Sequence, residues 1–562
     1  MKRIFLLLGF VSALAAAAGQ PVHWTAGNLS VTIDKYGYYG SLKVCGQEVL
    51  LSKELYPVVS AYDYQVRTPQ SVRFSNDTLF CLMNDDNEVL LRIAQLPQCL
   101  TMEVISCPIQ YRSITFGPVA VNLDEVVGEI VGVVQEGSVA FGMQVLNVKT
   151  AGGIPQEAAN DYGKKFFYQG HYVDDKPGYS LAATRIDNGT VFQFSGRNRG
   201  LHRGQMEVRH VGGCHASLTT PVLGQDGQIT GTKVAMFGCP RSKVLNHIGL
   251  LETALGLPHP TTIDGTWVKA SSSKNSPTKD SKKKNMEWVV KNVIEWNDVT
   301  VIKDFAPHLQ QQLLFQLEDN LNATDTTIHL LTGAYNCFPL PMEGYQVVRI
   351  EDELIRYRSA EDNDGHVTLS GCFRGAFGTV ATAHKKYIMG GRLWTVKEGF
   401  IPDLELLDTL ADRAVEGLAK HSVATLPTQI TFEHLGYCAL TGQDEYAVAR
   451  FVNRCSEKWS RPVVCQADCL TNYTWHILSN VTKRGSIFSP EMSDTTWQFL
   501  REVPVHDHTH GENHGHEHHG HGHHEHEHHH DMPQGQSQEK TLPDVVREMT
   551  TMEDFLKRNL LL

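Results

Sequence analysis

The residues with the most explicit chemistry stand near the carboxyl end of this sequence. Fourteen of its 28 histidines crowd into one stretch: His506, His508, His510, His514, His516, His518, His519, His521, His523, His524, His526, His528, His529 and His530. Neutral imidazole is a ligand for zinc, nickel and copper, and Glu512, Glu517, Glu525 and Glu527 interleave carboxylates with it. No fixed spacing singles out one catalytic metal site, so many ligand sets compete. The pattern implies transition-metal binding, or a segment whose charge changes as imidazoles titrate at about pH 6.5.

A second chemistry rests on carboxyl groups. Two of them facing each other across a glycosidic bond, one protonated and one ionised, hydrolyse it with no cofactor required. Thr428-Gln429-Ile430-Thr431-Phe432 reads as a strand, residues 442–459 as a helix and Pro462-Val463-Val464-Cys465 as a second strand. That order is a βαβ unit with a parallel strand pair. Glu433 then ends one strand and Asp468 lies just past the next, where barrel enzymes carry their catalytic groups. A surface Glu and a helix-capping Asp fit the same positions. A third chemistry is that of a polysaccharide lyase, which abstracts a proton beside a uronic-acid carboxylate. It needs a His or Tyr base and a cation. His434, Tyr473, His476 and Arg461 are of the right types, while core packing of Trp475-His476 is the other reading. Asp264 and His259 either line a cleft between domains or belong to a turn stiffened by Pro258 and Pro260.

The elements that must position these groups follow from pattern. Residues 1–19 carry Lys2-Arg3, an apolar run from Ile4 to Leu14 and small residues from Ala15 to Ala18, the layout of a secretory signal peptide. The chain is therefore expected to be exported, periplasmic or extracellular, with no transmembrane segment after cleavage. Residues 20–268 alternate in short runs, such as Leu29-Ser30-Val31-Thr32-Ile33, with turn dipeptides Asn188-Gly189 and Asp226-Gly227, and predict a β-sandwich. Residues 269–285 form a basic linker ending in Lys282-Lys283-Lys284. Over 286–322, Val289, Val293 and Trp296 at i, i+4 and i+7 predict a helical segment. Residues 323–395 predict a small β insert. Within 396–500, an α/β barrel-like region, Leu404, Leu407, Leu410, Ala411, Ala414 and Leu418 line one helical face. The His-rich low-complexity segment covers 501–541, and residues 542–562 predict a C-terminal amphipathic helix.

Composition bounds the partners. The formal charge of -12 and the lack of a basic groove argue against nucleic acid. Twelve cysteines show no tight metal-type spacing and are expected mostly as buried thiols.

Several strings resemble a known group. Gly117-Pro118, Val127-Gly128-Glu129-Ile130-Val131-Gly132-Val133-Val134 and Gly142-Met143-Gln144-Val145-Leu146-Asn147 look like its N-terminal sandwich. Gly256-Leu257-Pro258-His259-Pro260-Thr261-Thr262-Ile263-Asp264-Gly265-Thr266-Trp267 is similar to its sandwich-to-barrel junction, and Arg374-Gly375-Ala376-Phe377-Gly378-Thr379 with His384 to an inserted module. The group is exported, bacterial and glycoside-hydrolase-like, with a galactose-mutarotase-like β-sandwich before a TIM-type barrel. Where a barrel strand of the group ends Phe-Asp-Gly-Leu-Glu-Gly, this chain reads Phe432-Glu433-His434-Leu435-Gly436-Tyr437, keeping one acidic position and losing the other. Residues 269–320 are too few for the early barrel strands. The resemblance, over about residues 25–480, implies multidomain β and α/β architecture: a β-sandwich and a divergent or incomplete (β/α) barrel with a small β insert, to which composition adds a disordered His-rich tail. It implies a polysaccharide or glycan as substrate, with Glu433 and Asp468 as catalytic candidates beside the lyase candidate His476. His434, Tyr473, Trp475 and Asp264 are the substrate-binding ones. A non-catalytic glycan- or metal-binding relative is the alternative.

Overall fold

The computed structural model describes residues 20–51, 56–153, 182–186, 188–199, 206–211, 214–219, 223–259, 287–332, 344–420, 429–441, 444–459, 464–467, 470–478 and 480–481. The predicted signal peptide, basic linker, His-rich segment and C-terminal helix lie outside them, as do Asp264, Arg461 and Asp468.

The N-terminal part is β-rich, as its alternating pattern predicts. Val22–Ala26 and Leu29–Ile33 bury every second residue and open a four-stranded antiparallel sheet. An eight-stranded sheet runs from Val126–Gly128 at one edge to Pro69–Ser75 at the other, and Ser113–Val121 and Gly189–Arg197 are central in a six-stranded one. Ser113–Val121 and Val139–Val145 are buried along their whole length, so both of their faces are covered. Trp24, Phe116, Phe141 and Phe192 from these sheets share one core with Tyr56, and Phe141 and Phe192 meet edge to face at 5.0 Å. Asn188, at φ 63, turns Ala183–Ile186 into Gly189–Arg197 as the hairpin dipeptide predicts. Asp226-Gly227 instead lies in a 3-10 turn, Gly224–Gly227. A helix that periodicity did not reveal, Val244–Leu255 (α1), packs Leu245, Ile248 and Leu251 against Phe237 and Ala235, and Gly256 at φ 65 caps it.

The expected helical segment over 286–322 is helical only in part among the described residues. Glu287–Lys291 (β1) is a strand, Ile294–Glu295 a second short one, and the helix Val299–Asp304 (α2) has six residues behind the N-cap Asp298. Val289 is 41% exposed, not on a buried helical face. The run Val289, Val290, Val293, Ile294 is β-branched, and parallel pairing in a sheet overrides a weak helical period. The β insert begins earlier than residue 323: Gln311–Leu317 sits inside its seven-stranded antiparallel sheet, which has its own core of Phe315, Leu330, Ile350, Ile355 and Leu369.

After the insert come helix Leu404–Ala419 (α3), strand Gln429–Glu433 (β2), helix Asp444–Lys458 (α4), strand Val464–Ala467 (β3) and the two-residue strand Asn480–Val481 (β4). The four strands pair in parallel in the order β1-β2-β3-β4, so the predicted βαβ unit is present. Among the described residues this is an open four-stranded sheet, not a closed barrel. Asp403 caps α3 by accepting from the Leu406 N–H at 2.8 Å, and α3 buries Leu404, Leu407, Ala411 and Leu418. Arg450 with Asp408, and Arg454 with Asp412, tie α4 to α3. These helices and β2 belong to the same continuous core as the N-terminal sheets. Cys81, Cys99, Cys239, Cys372 and Cys455 are buried thiols, and Cys45 is exposed.

Candidate functional site

Parallel strands present their carboxyl ends together, and this sheet does so with charge. Glu433, the last residue of β2, pairs in register with Lys291, the last residue of β1. Glu433 is half-buried. The Lys291 ammonium donates to Glu295, four residues on. That hydrogen bond raises its pKa above the ordinary lysine range; burial works against it, and the charges of Glu295, Glu433 and Glu398 add to it. One cation therefore sits among three carboxylates. The Tyr437 hydroxyl donates to Glu398 at 3.4 Å, and the His434 ring lies parallel to that of Tyr437 at 5.5 Å. His434 itself is held at φ 63, which turns the chain sharply off the end of β2. Asn292, 1% exposed, donates through Nδ2 to Cys438 Sγ at 2.9 Å, and its Oδ1 has no hydrogen-bond partner among the described residues.

Carboxylates gathered at a strand end suit the roles of base or nucleophile. The described carboxyl that burial pushes above its ordinary pKa is Asp403, and it is occupied in capping α3 and facing His308.

Three residues predicted for the site lie elsewhere. His476 is fully buried between the N-terminal sheets and the parallel sheet. Its Nδ1 is 2.7 Å from Glu252 Oε1 on α1, its Nε2 3.4 Å from the Val145 carbonyl, and its ring is 3.9 Å from that of Trp475. It is a fastening between two parts of the molecule, not a base open to substrate. Tyr473 is buried, donates to Asn453 Oδ1 at 3.2 Å, and has its hydroxyl pKa pushed up to about 12 by burial and then by Glu457. Trp475 packs against the main core and the α1 core. The apolar surroundings that make aromatic pairs good sugar platforms also make them good core. Beside them Asn472 accepts from the Gly152 N–H at 2.8 Å and donates to the Ile130 carbonyl at 3.0 Å, completing the junction. His259, its Nδ1 3.1 Å from the Leu257 carbonyl, is described only up to the start of the junction. Lys291, Glu295, Glu398 and Asn292 were not singled out from sequence. Asn292 and Cys438 are 146 residues apart, and only the β1–β2 pairing brings their segments together.

No family model and no curated protein matches the chain. Among solved structures it is similar to a GH31 family sulfoquinovosidase from E. rectale in complex with an aza-sugar inhibitor, with a TM-score of 0.23 and 9% identity. The match covers 83% of this chain and 65% of that one, so the chain spans about two thirds of its length. A likeness of this size assigns neither a fold nor an activity.

Proposed function

We propose that this protein is an exported, glycoside-hydrolase-like enzyme acting on a polysaccharide at the carboxyl-end edge of its parallel sheet. The supporting observation is the placement of Glu433: half-buried, at a strand end and in register with Lys291, whose charge it shares with Glu295 and Glu398. In this reading Glu433 is one of two carboxyl groups and Asp468 the other. Asp468 is the residue that follows Ala467 in sequence, and Ala467 pairs with Phe432, the residue before Glu433. The N-terminal sheets act as the galactose-mutarotase-like partner domain and the parallel sheet as a shortened barrel. The His-rich segment binds zinc, nickel or copper and is separate from hydrolysis, which requires no metal.

The second reading is a non-catalytic glycan binder, favoured by the open four-stranded sheet among the described residues. A lyase loses two of its expected bases, since His476 is locked to Glu252 and Tyr473 is buried with a raised pKa.

The deciding experiment measures new reducing ends from a panel of neutral and uronic-acid polysaccharides, alongside unsaturated-uronate absorbance. Release of reducing ends that Glu433→Gln abolishes, with unchanged thermal unfolding, is the expected result. Release that survives this substitution rejects Glu433, and release accompanied by unsaturated-uronate absorbance would make the enzyme a lyase, because elimination yields a reducing end and an unsaturated uronate together.

A further inference from the structure

A cluster of aromatic rings borders the acidic edge and takes no part in the steps above. Trp296 directly follows Glu295, and its indole N–H donates to the carbonyl of Lys397 at 2.8 Å, the residue before Glu398. Tyr345 and Phe400 meet its ring edge to face at 4.9 and 4.8 Å, and Phe377 lies nearly parallel to it at 5.8 Å. Phe400 is fully buried and anchors the cluster, whereas Tyr345 is 42% exposed. The Arg356 guanidinium covers part of Tyr345, 3.8 Å from its centroid, and the backbone of Arg356 pairs with that of Phe373, another exposed ring.

The rings are held, not merely collected. A Cβ on Gly344, which has φ 85, would lie 2.7 Å from the Trp296 indole, so the chain can pass the ring only as glycine. Phe377 adopts φ 53 between Gly375 and Gly378, a left-handed conformation that a bulky residue keeps only where its surroundings over-determine it.

Resting on the glycan reading of the Glu433 edge, we propose that Tyr345 and Trp296 form a neighbouring subsite for an uncharged sugar of the same chain. The C–H face of a pyranose is apolar and carries slight positive charge, so it packs on the electron-rich face of an aromatic ring. Its hydroxyls need donors and acceptors nearby: the Arg356 guanidinium lies over Tyr345, and Glu295 is the chain neighbour of Trp296. The occupant is assigned from continuity and charge. Glu295-Trp296 and Lys397-Glu398 join the rings to the acidic edge through adjacent residues. Among the described residues, Glu295, Glu398 and Glu433 outnumber the Lys291 ammonium whose charge they share, which disfavours a uronate or a sulfated sugar at that edge even with Arg356 beside Tyr345. The insert thus contributes to binding, while the parallel sheet carries the chemistry.

The test uses the full mature chain in affinity electrophoresis through gels containing xylan, mannan, β-glucan or polygalacturonate. Retardation by at least one neutral polymer is expected, and Glu433→Gln should keep it. Tyr345→Ala should weaken it about tenfold, the scale of one lost ring contact, with unchanged thermal unfolding. Tyr345→Leu retains apolar bulk without a ring face and should weaken binding similarly if the alanine variant proves unstable. Wild-type affinity in a folded Tyr345→Leu, or retardation by polygalacturonate alone, overturns the subsite while hydrolysis dependent on Glu433 leaves the parent reading intact. A wild type that neither binds nor cleaves any polymer overturns both.

Discussion

Glu353 in the β insert makes the strongest energetic prediction. Its carboxylate accepts from Arg374 Nε at 2.7 Å and Nη2 at 2.8 Å, from the Gly375 N–H at 3.0 Å and from the Thr382 N–H at 3.2 Å. His384 Nε2 lies 2.8 Å away as well. The side chains of Glu353 and His384 are each 1% exposed, and that of Arg374 6%. Glu353→Gln puts an NH2 group among these donors and leaves the Arg374 cation buried without its counterion. Breaking such a pair costs about 3–5 kcal/mol. Glu351 provides an internal control. It lies equally close to His384, 2.8 Å from Nδ1, but is 57% exposed. Water screens that contact, so Glu351→Gln should cost about 1 kcal/mol or less. Urea unfolding gives both magnitudes, and hydrogen exchange on peptides from residues 311–393 shows whether the insert opens first. The acid response has a definite sign. Burial pushes the Glu353 carboxyl up, but the hydrogen bonds from Arg374, His384, Thr382 and Gly375 outweigh it and hold the pKa below its ordinary value. A depressed folded pKa contributes stability above the unfolded value of about 4.3 and loses it as pH falls through the folded one. Wild type should therefore weaken below about pH 4 more steeply than Glu353→Gln. Equal costs for the two substitutions, or a Glu353→Gln cost under about 1 kcal/mol, would refute burial as the deciding term.

The junction between the N-terminal sheets and the parallel sheet yields a second expectation. Asn472→Ala strands the buried Gly152 N–H and Ile130 carbonyl and should cost about 2–4 kcal/mol by urea unfolding. His476→Gln should lower the unfolding midpoint while leaving turnover per folded molecule unchanged, since the ring touches Glu252 and core, not substrate; a selective loss of turnover would return His476 to the chemistry. The His-rich segment should retain the protein on a nickel or zinc resin and release it as pH falls through about 6.5, and deletion of residues 501–541 should abolish retention without changing polysaccharide cleavage.

Parts of this molecule were legible because local pattern carries them. The α3 face was readable from its spacing, the β2-α4-β3 unit from strand and helix signals, and the Asn188 hairpin from its turn dipeptide. The placement of Glu433 at a strand end followed from the same logic. The helix expected from Val289, Val293 and Trp296 failed because three apolar residues match a helical period by chance, whereas the β-branched run pairs with a strand far along the chain. His476, Tyr473 and Trp475 misled for another reason. A buried His with a carboxylate partner and a catalytic His with one are the same residue types in the same order, and solvent access separates them.

By itself, then, the sequence determined a β-rich N-terminal half, a parallel α/β unit and the strand-end position of Glu433, because alternation, helical faces and turn residues act over a few residues. Tertiary structure alone decided that Lys291, Glu295 and Glu398 gather near Glu433, that His476 fastens two parts of the molecule, and that Trp296 meets Tyr345. Those outcomes depend on the pairing of β1 with β2 across a long intervening segment and on shared burial, neither of which leaves a mark on the neighbouring residues.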